Sequence, residues 1–249
     1  MLENFIAAAR TFVLVPLLFL YTMVLAIAVI IVVAIDPKTK AQDRIVEHWA
    51  NLFLAIPPVR VTVEGSDNVD PGQRYVVASN HLSMFDIPLL FRVLPIHGRF
   101  LSKKEVFRYP VIGQGMRAIG IIEIDRDSSG SSRAAISAGV EIAAERGYSL
   151  LVFPEGTRSR DGELLPFKRG AFRIAIDTGL PLLPVVIEGT DRISPPGSKV
   201  FRAGSVAVRI LPPIVTNDMT NKDDLRSFAD AVEAEMGTVY EAMHRARYA

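Results

Sequence analysis

The chain has 249 residues, carries 28 Lys and Arg against 27 Asp and Glu for a formal charge of +1, and contains no cysteine. That length accommodates one large domain with a sizeable core plus an appendage. The even charge balance argues against a nucleic-acid protein, which shows a strong basic excess, and the missing cysteines exclude a disulfide framework, a thiolate metal site and a cysteine nucleophile.

Residues 12–35 contain no charged side chain and account for a mean hydropathy of +0.27, high for a soluble domain. As a helix this run would be roughly 36 Å long, against a hydrocarbon core of about 30 Å. It is too long for a signal-peptide core, and no small-residue cleavage site follows it. Pro16 would kink it near its start. Arg10 precedes it and Lys38, Lys40 and Arg44 follow it, so a crossing would keep the remainder of the chain in the cytoplasm, at the inner membrane. Residues 40–56 form a second predicted helix. Ile45, Val46, Trp49, Leu52, Phe53 and Ile56 recur at threes and fours and give one apolar face, suited to a membrane surface or to packing on a globular domain. Pro57-Pro58 ends it. The expected organisation is a two-helix membrane-anchoring segment over residues 1–56 and a second domain over residues 57–249. A hairpin entering one leaflet is favoured over a crossing, because the second helix's apolar face also calls for lipid.

Beyond Pro58 strands and helices alternate. Predicted strands cover 59–63, 75–79, 100–102, 120–124, 150–153, 182–188 and 206–211; predicted helices cover 84–94, 111–119, 131–146 and 168–178. A C-terminal helix starts near Thr220, with Asp223 as its capping partner, and buries Leu225, Phe228, Val232, Met236 and Tyr240. This order predicts the α/β class: a mostly parallel central sheet flanked by helices, preceded by a membrane-embedded helical segment.

His81 stands just past the second predicted strand, at the edge where open α/β sheets place their ligands. A neutral imidazole there can take a proton from a hydroxyl. Asp86, five residues on, can accept a hydrogen bond from the second ring nitrogen and fix the tautomer, although before Pro88 it also suits a helix N-cap. The nucleophile could be the substrate's own hydroxyl. Phe153-Pro154-Glu155-Gly156-Thr157-Arg158-Ser159-Arg160 follows another strand, with a glycine for close backbone approach, two hydroxyls and a planar guanidinium for phosphate. Lys168-Arg169-Gly170 opens a helix where amides favour an anion. Asp125-Arg126 and Lys103-Lys104-Glu105 stand at two further strand ends. Cations from three strand ends on the side that carries His81 point to a phosphorylated substrate. Backbone amides near Gly156 or Ser83 could hold an oxyanion. No Gly-x-Ser-x-Gly or His-Glu-x-x-His occurs, and the four histidines are scattered, so a serine hydrolase and a zinc enzyme are disfavoured. Gly113-x-Gly115-x-x-Ala118 spells a dinucleotide fingerprint but lies in a helical stretch rather than after a strand.

Four blocks in this order, Asn80-His81-x4-Asp86, Gly120 to Arg126, Phe153 to Arg158 and Leu182 to Ile187, resemble those of the glycerophospholipid acyltransferase family. The resemblance covers roughly residues 59–211. It implies that a lysophosphatidate hydroxyl attacks the thioester of acyl-CoA or acyl-carrier protein to give phosphatidate, with no cofactor and no covalent acyl-enzyme. On this likeness His81 is the general base and Asp86 its orienter. Glu155, Gly156, Thr157 and Arg158 form the acceptor site, with Arg158 on the phosphate, joined by Lys104 and Arg126. Partners are the two substrates and membrane lipids, with no nucleic acid. Another lysolipid or a glycolipid could replace the acceptor. A membrane lipid-binding protein without turnover is a further alternative, against which the intact His81–Asp86 pair argues.

Overall fold

The N-terminal run forms one helix, α1 (Leu2–Ile35), which continues through Pro16. The computed structural model describes residues 2–125, 129–195, 197–216, 219 and 222–248; Arg126 and Thr220, both singled out above, lie outside them, as does the side chain of Asp223. One side of α1 exposes Phe12, Val13, Leu17, Leu20, Val24 and Ile31, a contiguous apolar surface of the kind that marks a membrane or partner contact. The other side buries Ala7, Leu18 and Val29. It touches the domain at both ends: Arg10 Nη2 donates to the Phe201 carbonyl at 2.9 Å, and the helix passes so close at Ala26 that a Cβ on Gly115 would come within 3.0 Å of it. The glycine of the apparent dinucleotide fingerprint therefore serves helix packing.

Helix α2 (Ala41–Ala55) turns much of its apolar face inward. Val46, Ala50, Phe53 and Leu54 are buried, and Phe53 meets Phe85 edge to face at 5.0 Å. Its first turn is also buried and polar. Asp43 forms an ion pair with Arg99, whose guanidinium lies 3.7 Å over the Tyr148 ring, and Gln42 donates to the Tyr148 hydroxyl at 2.6 Å. Much of this face is thus taken up by protein, one of the two contacts open to it, while Ile45, Trp49 and Leu52 stay half-buried.

The seven strands are β1 (Val59–Glu64), β2 (Val76–Ser79), β3 (Gly98–Lys103), β4 (Ile122–Ile124), β5 (Ser149–Val152), β6 (Leu182–Glu188) and β7 (Gly204–Ile210). Their order is β1-β7-β6-β2-β5-β3-β4. All neighbours are parallel except β6 and β7. Every residue of β2 and β6 is buried, as unbroken apolar strands covered on both faces require. Helices α3 (Asp86–Val93), α4 (Ile112–Ala118), α5 (Ser129–Arg146), α6 (Gly170–Thr178), α7 (Thr190–Ile193) and α8 (Lys222–Tyr248) complete the chain. One core lies beneath α1 to α4 around Phe85, Leu89 and Phe100; the second lies beneath α6 and α8 around Phe172, Phe228 and Met236. The second strand sits between β5 and β6, so the chain changes direction across it, and the crevice at its carboxyl end is where such sheets bind ligands.

Candidate active site

Three adjacent parallel strands, β5, β2 and β6, end at this crevice, and each delivers part of one constellation. From β2 comes His81, with Nδ1 2.7 Å from Asp86 Oδ2. Asp86 is fully buried, while the His81 side chain keeps 15% of its surface. The carboxylate does not cap α3; it turns back and accepts Leu82 N–H at 2.7 Å and Ser83 N–H at 2.8 Å on the same oxygen. Its other oxygen accepts the hydroxyl of Thr190, the first residue beyond the glycine that follows β6. Four donors thus satisfy one buried carboxylate. An ionised Asp86 can only accept, so Nδ1 carries the hydrogen and Nε2 presents its lone pair.

The imidazole is also held by its face. Its ring stacks on Phe153 at 3.9 Å and 9°, and Phe153 stacks in turn on Phe100 at 5.4 Å. The two blocks are fastened through their backbones: Ser159 N–H donates to the His81 carbonyl at 2.9 Å, and His81 N–H donates to Glu155 Oε1 at 2.8 Å. Glu155 Oε2 accepts Leu165 N–H at 3.1 Å. Burial pushes the Glu155 carboxyl up to about 7; the two amide donors oppose that rise and the charge of Asp86 adds to it.

Around this centre the other sequence-derived residues take distinct places. Gly156 has a left-handed backbone, φ +71, which favours glycine; a Cβ there would meet only the flexible end of Lys168, at 2.8 Å. Thr157 and Arg158 are exposed and line a cleft of about 290 Å³ with Met84, Arg160 and Ser198. Lys104 stands two strands away, at the end of β3, and donates to Asp125 at 2.6 Å. The amides suggested for an oxyanion are engaged elsewhere: Ser83 N–H points at Asp86, and Gly156 N–H donates to the Phe153 carbonyl at 3.0 Å. Sequence reasoning missed Thr190 and the Phe153–Phe100 stack. Thr190 had a signal, a hydroxyl just past the end of a fully apolar strand; the stack had none, because aromatic residues on neighbouring strands read as core.

On the far side of that stack opens an apolar cavity of about 330 Å³, walled by Ala26 of α1, Trp49 of α2, Phe91 of α3, Phe100 of β3 and Met116 of α4. Phe100 is thus shared between the cavity and the stack that carries His81.

The chain as a whole is similar to known proteins. A family model described as Acyltransferase matches residues 60–188. The 1-acyl-sn-glycerol-3-phosphate acyltransferase alpha of Ovis aries is 35% identical over 182 residues, 73% of this chain and 63% of that protein. The 1-acyl-sn-glycerol-3-phosphate acyltransferase of Saccharomyces cerevisiae is 36% identical over 191 residues, 76% of this chain and 61% of that protein. The matched stretch therefore spans less than two thirds of either relative. The solved structure of the 1-acyl-sn-glycerophosphate acyltransferase PlsC from Thermotoga maritima superposes with a TM-score of 0.79 at 26% identity, covering 98% of this chain and 97% of that one. Since the matched segment begins in β1, ends with β6 and encloses every strand that delivers a residue to the crevice, the chain belongs to the acyltransferase family.

Proposed function

We propose that the protein transfers an acyl chain from a thioester, acyl-CoA or acyl-carrier protein, to the free hydroxyl of 1-acylglycerol-3-phosphate, giving phosphatidate. The observation that carries this reading is the 2.7 Å contact of His81 Nδ1 with Asp86 Oδ2, in the turn whose next residues, Leu82 to Met84, line the cleft that holds Arg158 and Arg160. His81 takes the proton of the acceptor hydroxyl at Nε2 as its oxygen bonds to the thioester carbon. Asp86 holds the imidazolium that results. The tetrahedral intermediate then breaks its carbon–sulfur bond, and the departing thiolate recovers the proton from His81 as a free thiol. No protein nucleophile and no cofactor takes part.

Arg158, in the exposed wall of the cleft, fits the acceptor phosphate as a planar fork, with Thr157 beside it. Gly156 shapes the turn that presents them. Lys104 and Arg126 are assigned to the cationic rim. Glu155 is assigned a positioning role, since both its oxygens face backbone amides of the two catalytic loops. The apolar cavity behind Phe100 suits the donor's acyl chain, whose burial is favourable by ~0.8 kcal/mol per CH₂.

The exposed apolar side of α1, long enough to enter a bilayer, supports membrane association. Because α1 touches the domain at Arg10 and again at Ala26, its length lies alongside the domain, which supports a segment embedded in one leaflet with the catalytic edge at the headgroups. The Lys38, Lys40 and Arg44 bias supports the cytoplasmic face of the inner membrane.

Thiol release from acyl-CoA, followed with and without lysophosphatidate, tests the reaction: release should require the acceptor, and equal release without it would refute direct transfer. Arg158→Ala should raise the KM for lysophosphatidate about ten- to a hundredfold, the scale of a lost charged hydrogen bond, and leave that for acyl-CoA nearly unchanged. A selective loss on the donor side would reverse the assignment.

A further inference from the structure

A second basic groove lies on the same edge of the sheet, and the reaction above leaves it unused. It has a volume of about 720 Å³ and is walled by Ile6, Arg10, Arg60, Arg202 and Ser205, with Ala7 at its floor. Its place follows from topology. β7 runs antiparallel to β6, with Ala207 opposite Glu188, and β1 runs parallel to β7, with Val59 opposite Gly204. The starts of β1 and β7 therefore lie on the edge where β6 and β2 end. The link to the catalytic turn is short. Arg10 donates to the Phe201 carbonyl, and the Phe201 ring packs edge to face on Phe85 at 4.9 Å, next to Asp86 in sequence.

The three guanidinium groups come from three separate elements: α1, β1 and the segment before β7. Among the described residues none of the three forms an ion pair with a carboxylate, as is also true of Arg44, Arg74, Arg92 and Arg108 elsewhere on the surface. Arg60 and Arg202 are exposed, and their side chains make no hydrogen bond among the described residues. Arg10 uses one Nη2 on Phe201, which fixes its plane, and its Nε finds no acceptor. Three like charges lining one groove favour an anion between them. One wall, Ile6, belongs to the lipid-facing helix and is half exposed at 51%. An anion seated here would have apolar chains beside it, as a phospholipid has.

We propose that this groove binds the headgroup phosphate of an anionic phospholipid from the surrounding leaflet and so sets how the catalytic edge meets the bilayer. The inference rests on the reading of α1 as lipid-facing. Arginine suits this ligand because its fork takes two phosphate oxygens at once, and basic residues at a membrane surface each strengthen binding to anionic lipid about fivefold.

Native mass spectrometry of the full chain in a non-ionic detergent tests this, with dioctanoyl phosphatidylglycerol, dioctanoyl phosphatidylcholine, coenzyme A and inorganic phosphate as separate probes. One phosphatidylglycerol should be retained in preference to phosphatidylcholine. Arg60→Ala with Arg202→Ala should weaken it about thirtyfold, and Arg60→Lys with Arg202→Lys should restore most of the retention. Equal retention of both lipids, or indifference to the alanine pair, overturns the proposal. Loss of coenzyme A rather than phosphatidylglycerol in the alanine pair would give the groove to the acyl donor, and inorganic phosphate held as tightly as the lipid would make it an ion site; either also overturns it. Pelleting of the full chain with neutral phosphatidylcholine vesicles reports the lipid-facing helix alone, so failure of that reading is seen separately.

Discussion

The molecule contains two buried aspartates beside histidines, and they have opposite fates. Asp86 lies 2.7 Å from His81 and Asp43 lies 3.8 Å from His97, with both carboxylates nearly sealed from solvent. At Asp43 the charge is taken by Arg99, itself 1% exposed and shared with the Ile119 and Gly98 carbonyls. His97 is left 45% exposed at the margin. Among the described residues no lysine or arginine pairs with Asp86. Neutral donors from Leu82, Ser83 and Thr190 hold the carboxylate, and the imidazole is its only ring partner, clamped by Phe153. In the proposed mechanism the Asp–His pair serves as a base where neutral dipoles hold the acid, whereas at Asp43 the guanidinium takes up the charge instead. The same pairing with an arginine added becomes a fastener.

The largest contrast should come from the two histidines. His81→Ala should lower turnover by about 10²- to 10⁴-fold, the scale of a lost general base, while His97→Ala should stay within about twofold. Steady-state thiol release on both variants measures this, and comparable losses would erase the distinction. Next in size, Asp43→Ala should act on stability and not on chemistry. It leaves Arg99 buried and unpaired, at a cost of about 3–5 kcal/mol, lowering the melting temperature by roughly 10 °C; turnover per folded molecule should hardly change. A calorimetric scan without such a drop would mean that water or Tyr148 already satisfies Arg99.

Glu155 sharpens the comparison further, as a buried carboxylate that forms no ion pair among the described residues. Its neutral form is favoured in the folded chain, with a titration near 7 against 4.5 in the unfolded one. Its contribution to stability is thus fully present below pH 4.5 and is lost as pH rises through 7, by up to about 3 kcal/mol. Chemical unfolding measured across this window should show that decline, and Glu155→Gln should flatten it. A curve of unchanged slope in the variant would remove Glu155 as its source. The smallest effect belongs to Thr190. Thr190→Val withdraws one donor from Asp86 and should lower kcat about tenfold at constant acceptor KM, with Thr190→Ser recovering most of it. A rise in KM alone would make Thr190 a substrate contact instead.

Much of this was legible in the chain. The alternation of apolar strands and helices is a local property, set by side-chain period, and the sheet followed from it: β2 and β6 read as buried runs and are buried throughout. His81 and Asp86 were legible because five residues across a tight turn must stay close. The apolar N-terminal helix was legible from length alone.

Long-range geometry was not. Helix α2 had one apolar face that could serve lipid or protein, and only the buried Asp43–Arg99 pair, spanning residues far apart in sequence, gave much of it to protein. Asp86 had two local readings, cap or orienter; the hydroxyl of Thr190, brought in by β6, and the turned-back carboxylate decided for the second. Glu155 stands in sequence among residues assigned to an anion site, and only the fold shows that its carboxylate accepts from the backbone of a different strand's loop. By itself the sequence determined the elements, the catalytic turn and the glycine its backbone needs, since each depends on interactions within a few residues. Tertiary structure alone decided which buried charge is a lever and which a fastener, because that depends on what three strands, separated by long stretches of chain, bring within hydrogen-bond reach at one edge.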